Sequence, residues 1–335
     1  MNNMTEIKNV LVTGGAGYVG GILVPKLLKQ GYHVKVLDLY IYGDHVFAPV
    51  KNNLNLIEVK GDIRDLELLE NEVPGTDAII HLACISNDPS YELDPELGKA
   101  INYDAFINLV NVAKKAHVKR FIYASSSSVY GIKEEENVTE DMPLEPLTDY
   151  SKYKALCEKV LLNSVNNSCI ATIVRPSTVC GYSPRQRLDL TVNILTNHAI
   201  NLGQITVFGG DQKRPNIHIA DMTDLYLFLL DQPDDKVKNK IFNVGYENLK
   251  VIEIAEKVNK ALGGQIPIIK TPTDDNRSYH VCSDKIKREL GFEAKHTIEE
   301  AIFELKKAFD SGLLPNSMED IRYYNIKTMQ HLNLK

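Results

Sequence analysis

Tryptophan is absent from this chain, cysteine is scarce, and no wholly apolar stretch is longer than a strand. The longest, such as Leu225 to Leu230, fall far short of the roughly 20 residues that cross a bilayer. No transmembrane span and no membrane partner are therefore expected. The first residues, MNNMTEIKN, have no apolar core of a secretory leader and run straight into a strand pattern. The five cysteines, at 84, 157, 169, 180 and 282, are odd in number and form no CxxC or Cys/His cluster. That argues against a disulfide framework or a metal site and for reduced thiols in a cytoplasm. An excess of basic charge is also missing: 38 Lys and Arg stand against 44 Asp and Glu, a formal charge of -6. Nucleic acid is not an expected partner, although a local basic pocket for phosphate remains compatible. What is present, 335 residues with 44% hydrophobic and 24% charged, suits one large or two medium domains.

Apolar strand patterns over 8–13, 33–38, 54–59, 77–83, 119–125 and 171–175 alternate with helical patterns over 22–30, 99–116 and 149–166. Near-continuous apolar strands between helices predict an α/β fold, a Rossmann-type parallel sheet covered on both faces. After Pro176 the rhythm breaks. Residues 181–189 are polar and turn-rich, followed by a helix at 189–202, a strand at 205–208 and a helix at 221–231. A strand at 240–245 is placed to rejoin the first sheet, and amphipathic pieces follow at 251–262, 284–290 and 297–310. The expectation is a nucleotide-binding domain over 1–176, with the strand near 240–245 rejoining it, and a smaller, interleaved domain over most of 177–335. The tail after Gly312 reads as irregular.

Gly14, Gly17 and Gly20 lie in TGGAGYVG, between the first strand and the first helix. The first allows a tight turn, the second close backbone approach to a pyrophosphate, and the third helix–sheet packing. The helix N-terminus then faces the negative charge. Asp38 closes the next strand, where a carboxylate accepts hydrogen bonds from a ribose 2'-hydroxyl and repels a 2'-phosphate; this favours NAD over NADP. Asp62, in GDIRD, fits equally a contact to the adenine amino group and an N-cap for a helix over 64–72. His81 reads as a packed strand-end residue.

Tyr150 and Lys154, in DYSKYK, stand at i and i+4 and share one helix face. A nearby ammonium favours phenolate and lowers a tyrosine pKa. A phenolate beside a nicotinamide can take a hydroxyl proton as hydride leaves, and the same lysine can hold the nicotinamide ribose. Ser126, at the end of the preceding strand, can hydrogen-bond the reacting oxygen.

Taken together, TGGAGYVG (13–20), GDIRD (61–65), HLA (81–83), ASSSSVYG (124–131), YSKYK (150–154), RPSTVCG (175–181), GDQKRPNIHIADMTD (210–224) and DDNRSYHVCSDKIKRELGF (274–292) resemble the extended short-chain dehydrogenase/reductase family, in its nucleotide-sugar epimerase and dehydratase group. The resemblance implies Ser126, Tyr150 and Lys154 as the catalytic triad. It implies an NAD site built from Gly14, Gly17, Tyr18, Val19, Gly20, Asp38, Asp62, Ile63, Leu82, Ala83, Asn102, Tyr150 and Lys154. It also implies a nucleotide-sugar site of Ser86, Ser126, Thr178, Arg187, Asn193, Arg214 and Arg277, with Arg214 and Arg277 near one another on the substrate diphosphate. Arginine forks suit phosphate oxygens. Members of the family often pair through a four-helix interface, which implies a homodimer using the helices at 99–116 and 149–166.

Where family dehydratases carry an Asp-Glu pair, this chain has Ser127 and Ser128. A hydroxyl is a poor general acid for expelling water, so dehydration is disfavoured. Thr178 replaces a frequent asparagine, Cys84 a usual alanine and Cys180 a frequent tyrosine. The expected function is NAD-dependent oxidation at C4 of a nucleotide-activated sugar, as a 4-epimerase. The alternatives are a 4-dehydrogenase or ketoreductase, which on the similarity of SPRQRLDLTVN extends to heptoses of surface polysaccharides, and a non-catalytic nucleotide-binding scaffold.

Overall fold

The computed structural model describes residues 5–86, 88–164, 169–273 and 278–332. The expected strands form in order: β1 (Asn9–Thr13), β2 (His33–Asp38), β3 (Leu56–Lys60), β4 (Ala78–His81), β5 (Arg120–Ala124) and β6 (Ile170–Pro176). Shorter strands follow: β7 (Thr178–Cys180), β8 (Ile205–Phe208), β9 (Lys213–His218), β10 (Lys240–Val244), β11 (Glu247–Lys250) and β12 (Ile268–Thr271). Seven of them make one sheet in the order β10-β6-β5-β4-β1-β2-β3. Every pairing in it is parallel, with Val12 opposite both Val36 and Ile80. The chain turns outward in both directions from β1, so a crevice opens at the carboxyl ends of β1 and β4.

Successive residues of β1 face opposite layers. Val10 and Val12 pack with Leu23, Val24 and Leu27 of helix Gly20–Lys29 and with Leu225 and Leu229 of helix Ile219–Leu230. Leu11 packs on the other side with Phe106, Leu109, Phe121, Cys157 and Leu161. These central strands are buried on both faces, which is why they read as unbroken apolar runs rather than as alternating ones.

β10 does rejoin the main sheet, pairing in parallel with β6 from Lys240↔Thr172 to Val244↔Pro176. The other late strands form a β11-β9-β7 sheet and a β12-β8 pair. They enclose a separate core that includes Val192, Ile205, Val207, Ile254 and Ile302. β7, β9, β11 and β12 were not expected: they are short, and KRPNIH of β9 is polar and carries Pro215. The helix expected at 99–116 runs from Pro95 to Lys115, with a π turn at Ala100–Asp104. The helix expected at 149–166 is Asp149–Ser164, and residues 165–168 lie outside the described residues.

Two expectations are corrected. The helix after β3 is Leu66–Glu72, and its N-cap is Asp65, whose side chain accepts from Leu68 N, not Asp62. The tail after Gly312 is not irregular throughout: it forms a short turn of helix at Ile321–Tyr323 and a helix at Asn325–Leu332. Among the described residues no helix is long and apolar enough to cross a membrane.

Candidate active site

The crevice is a cavity of about 540 Å³ lined by both parts of the chain. Its floor is the turn after β1. Gly14 has φ +71°, and a Cβ there would lie 2.5 Å from Ala83 N, so no side chain fits. Gly14 N donates to Leu37 O and Gly17 N to Gly14 O, which seats the turn against β2. Helix Gly20–Lys29 then begins at the crevice, and the positive end of its dipole favours an anion there. Asp38, at the end of β2, accepts from Ala16 N (2.9 Å) and Tyr40 N (2.8 Å). Burial raises the Asp38 pKa, against those two amides and the charge of Arg185. This bare backbone cradle, the helix end and the terminal carboxylate fit a dinucleotide.

The second end of the crevice holds Ser126, Tyr150 and Lys154. Helix Asp149–Ser164 brings Tyr150 and Lys154 to one face, and Lys154 Nζ donates to Ala124 O at 2.7 Å. The ammonium lies 5.9 Å from the centre of the Tyr150 ring. Ser126 lies two residues past β5 and caps the helical turn Ser127–Tyr130; its Oγ lies 2.8 Å from Ser128 Oγ and accepts from Ser128 N. The lowered Tyr150 pKa expected from the neighbouring ammonium is corrected: burial holds the phenol well above its ordinary value, the charges of Cys84 and Asp88 add to this, and Arg187 and the Ser126 hydroxyl only partly oppose it. Behind these residues Ser125 Oγ donates to Glu158, which is gripped by Arg175.

Gly14, Gly17, Tyr18, Val19, Gly20, Asp38, Asp62, Ile63, Leu82, Ala83, Ser86, Ser126, Tyr150, Lys154, Thr178, Arg187 and Arg214 all line this one cavity. Asp62 is also tied to Arg64, accepting from its backbone N and from its guanidinium. Asn102 and Asn193 stand behind the wall. Asn102 bonds both the N–H and the carbonyl of Ile85, and Asn193 bonds Gly181 N, Tyr18 OH and Arg187 O. Each therefore shapes a cavity loop from the rear. Arg277 lies outside the described residues, so its approach to Arg214 is not on view. His81 is packed as expected: its Nδ1 lies 2.7 Å from Thr13 Oγ1, and burial pushes its pKa down to about 3.

Sequence reasoning missed Tyr42, Arg185, Asp189 and Asn325, which also line the cavity. Arg185 stacks on Tyr42, with the guanidinium carbon 3.5 Å from the ring centre. Burial lowers the Arg185 pKa to about 10. Arg187 Nε donates to Asp189. Burial pushes the Asp189 carboxyl up, but Arg187, the Asn325 backbone N–H and Arg185 together more than offset this and hold it below the usual range. Among the described residues no group of three or more His, Cys, Asp or Glu is arranged to hold a metal ion.

Comparison with known proteins agrees with this geometry. The family model for the NAD dependent epimerase/dehydratase family matches residues 10–245. A UDP-glucose 4-epimerase of Lactobacillus helveticus is 30% identical over 311 residues, covering 86% of this chain and 92% of that protein. The structure of a dTDP-glucose 4,6-dehydratase of Streptomyces venezuelae, solved with NAD, is similar with a TM-score of 0.82 at 26% identity, over 91% of this chain and 98% of that one. A UDP-glucose 4-epimerase of Thermotoga maritima, solved with UDP-glucose, gives 0.81 at 25% identity, over 91% and 99%. The chain accordingly belongs to the NAD-dependent epimerase/dehydratase family of nucleotide-sugar enzymes, whose cofactor is NAD.

Proposed function

We propose that this protein is a nucleotide-sugar 4-epimerase. Residues 1–176 with β10 hold NAD, and most of 177–335 holds the nucleotide sugar. Bound NAD accepts a hydride from the sugar and returns it. Tyr150, neutral in the free protein, would be ionised by the positive charge of the bound nicotinamide together with Lys154; as phenolate it takes the proton of the C4 hydroxyl during oxidation and gives it back after the keto sugar has turned over. Ser126 hydrogen-bonds the reacting oxygen. Lys154, fixed on Ala124 O, directs its remaining N–H groups to the nicotinamide ribose and Tyr150. Arg187 and Arg214 face the substrate, and Asn193 holds the Arg187 loop. Arg277 is assigned to the diphosphate on family resemblance alone.

One observation carries the choice of epimerisation over dehydration. Ser127 and Ser128 line the cavity beside Ser126, where expulsion of water needs an acid and a base. Hydroxyls titrate too far from neutrality to serve. A chemistry of hydride and proton transfer without loss of water remains.

The test is incubation with UDP-glucose and a panel of other nucleotide sugars, with products read by mass and NMR. A product of unchanged mass, inverted at C4 and formed with catalytic NAD alone, is expected. Accumulation of a 4-keto sugar with stoichiometric NADH would instead establish a 4-dehydrogenase, and loss of water a dehydratase.

A homodimer is part of the same reading. Leu156 on helix Asp149–Ser164, Leu147 just before that helix and Leu93 just before the helix that starts at Pro95 are exposed large hydrophobic residues that pairing would cover. Light scattering should return about twice the 37.6 kDa of one chain.

A further inference from the structure

Five cavity residues from three distant stretches of chain form one polar ring with a branch. Asn325, the first residue of the C-terminal helix, donates its backbone N–H to Asp189 Oδ2 (3.0 Å) and its amide Nδ2 to Ser86 Oγ (2.8 Å). Its Oδ1 accepts from Arg185 Nη2 (2.5 Å). Ser86 Oγ accepts a second bond from Arg187 Nη1 (3.2 Å), and Arg187 Nε donates to Asp189 Oδ1 (2.9 Å), which closes the ring. Asn325 is 3% exposed, Arg185 3% and Arg187 8%.

The charges in this ring do not balance. The ring holds two buried guanidinium groups and one carboxylate, Asp189, which only Arg187 bonds, while Asp38 acts on Arg185 from outside the ring. Nε and Nη1 of Arg185 and Nη2 of Arg187 have no hydrogen-bond partner among the described residues. Buried cations left short of partners are costly, and in a ligand cavity they mark the place of an anion. Asn325 supplies no charge. Its amide is nevertheless the single group that bonds Arg185 on one side and, through Ser86, Arg187 on the other.

We propose that Asn325 is a positioning residue: it holds Arg185 and Arg187 at the cavity wall for an oxyanion of the bound ligand, a diphosphate of either NAD or the nucleotide sugar. The C-terminal helix is thereby part of the ligand site. The nucleotide half of this inference rests on the function proposed above; the NAD half does not.

The informative variant is Asn325→Asp, which keeps the shape and the acceptor facing Arg185 but adds a carboxylate that occupies the guanidinium pair. Thermal unfolding without ligand and calorimetric titration with NAD, UDP-glucose, UDP, dTDP, GDP and CDP are measured on the full chain. The unliganded melting temperature should hold or rise, while affinity for one diphosphate ligand falls by about tenfold or more. A purely structural asparagine cannot give these opposite signs. The arm that weakens, NAD or nucleotide, identifies the source of the oxyanion. Asn325→Ala should weaken the same arm, and combination with Ser86→Ala should add little, because both interrupt one ring. Affinities of Asn325→Asp within about threefold of wild type in every arm would overturn the proposal. If the wild-type protein binds none of the nucleotides, the nucleotide-sugar reading fails separately, and Asn325 stands or falls on the NAD arm.

Discussion

Arg175 and Glu158 form a two-pronged ion pair inside the protein. Nε meets Oε1 at 3.0 Å and Nη2 meets Oε2 at 2.6 Å, with both side chains only 3% exposed. Glu158 lies one helical turn beyond Lys154 and also accepts from Ser125 Oγ, the residue before Ser126. The pair therefore ties helix Asp149–Ser164 to β6, and the Ser125 bond ties it to the segment that follows β5. Removing one member leaves the other charge buried without its partner. Glu158→Gln should cost about 3–5 kcal/mol in urea unfolding and should also reduce turnover of the fraction that folds. An unfolding curve that superimposes on wild type would show that the pair does not act in this way.

Tyr150→Phe should cut turnover by at least about 100-fold, the usual scale of general acid–base transfer. NAD titration of the same variant should differ little from wild type, because the phenol oxygen is assigned to the sugar. Lys154→Ala should impair both measurements, since its amine is assigned to the ribose as well as to Tyr150. Near-normal turnover of Tyr150→Phe would remove the residue from the mechanism.

Cofactor selection should follow Asp38. NADP should bind more weakly than NAD, since the 2'-phosphate meets a carboxylate already bonded in place by Ala16 N and Tyr40 N. Asp38→Gly should narrow the difference between the two cofactors, read as the ratio of their dissociation constants. A wild-type preference for NADP would contradict the assignment.

The ionisation of Tyr150 is also measurable. Burial places its native pKa well above the ordinary value, whereas in the unfolded chain it titrates near 10. The unfolded state therefore loses its proton first as pH rises. The stability gained from the buried neutral phenol is complete below pH ~10 and is lost as pH climbs above it. Without NAD, the difference in phenolate absorbance between wild type and Tyr150→Phe should be flat through neutrality and through pH ~10. A phenolate titrating near pH 7 in the protein without NAD would place the native pKa on the other side.

Gly14, Asp38, Tyr150 and Lys154 were legible in the sequence because each belongs to a local pattern. A glycine turn joins a strand to a helix, a carboxylate ends the next strand, and an i,i+4 pair shares a helix face. Arg185, Asp189 and Asn325 have no such pattern. They come from irregular segments or helix ends, and only contacts spanning up to 239 residues, as between Ser86 and Asn325, bring them to the cavity. Asn102 and Asn193 show the reverse limit. Family resemblance marks them as site residues, but a motif does not distinguish a side chain that faces the ligand from one that braces the loop behind it. The short polar strands β7, β9 and β11 escaped because their hydrogen-bond partners lie far away in the chain: β9 is flanked by β7 and β11, and none of the three carries a run of apolar residues.

The return of β10 to the edge of the main sheet bears on how this protein can be taken apart. A chain cut after residue 176 would lose β10 and leave the β6 edge open, with unpaired N–H and C=O groups ready to recruit another chain. The part assigned to the nucleotide sugar is therefore threaded through the part assigned to the cofactor rather than appended to it. Exchanging substrate specificity between relatives requires two joints, one on each side of β10, and a swap made with a single joint should yield aggregated protein even when both parents are soluble.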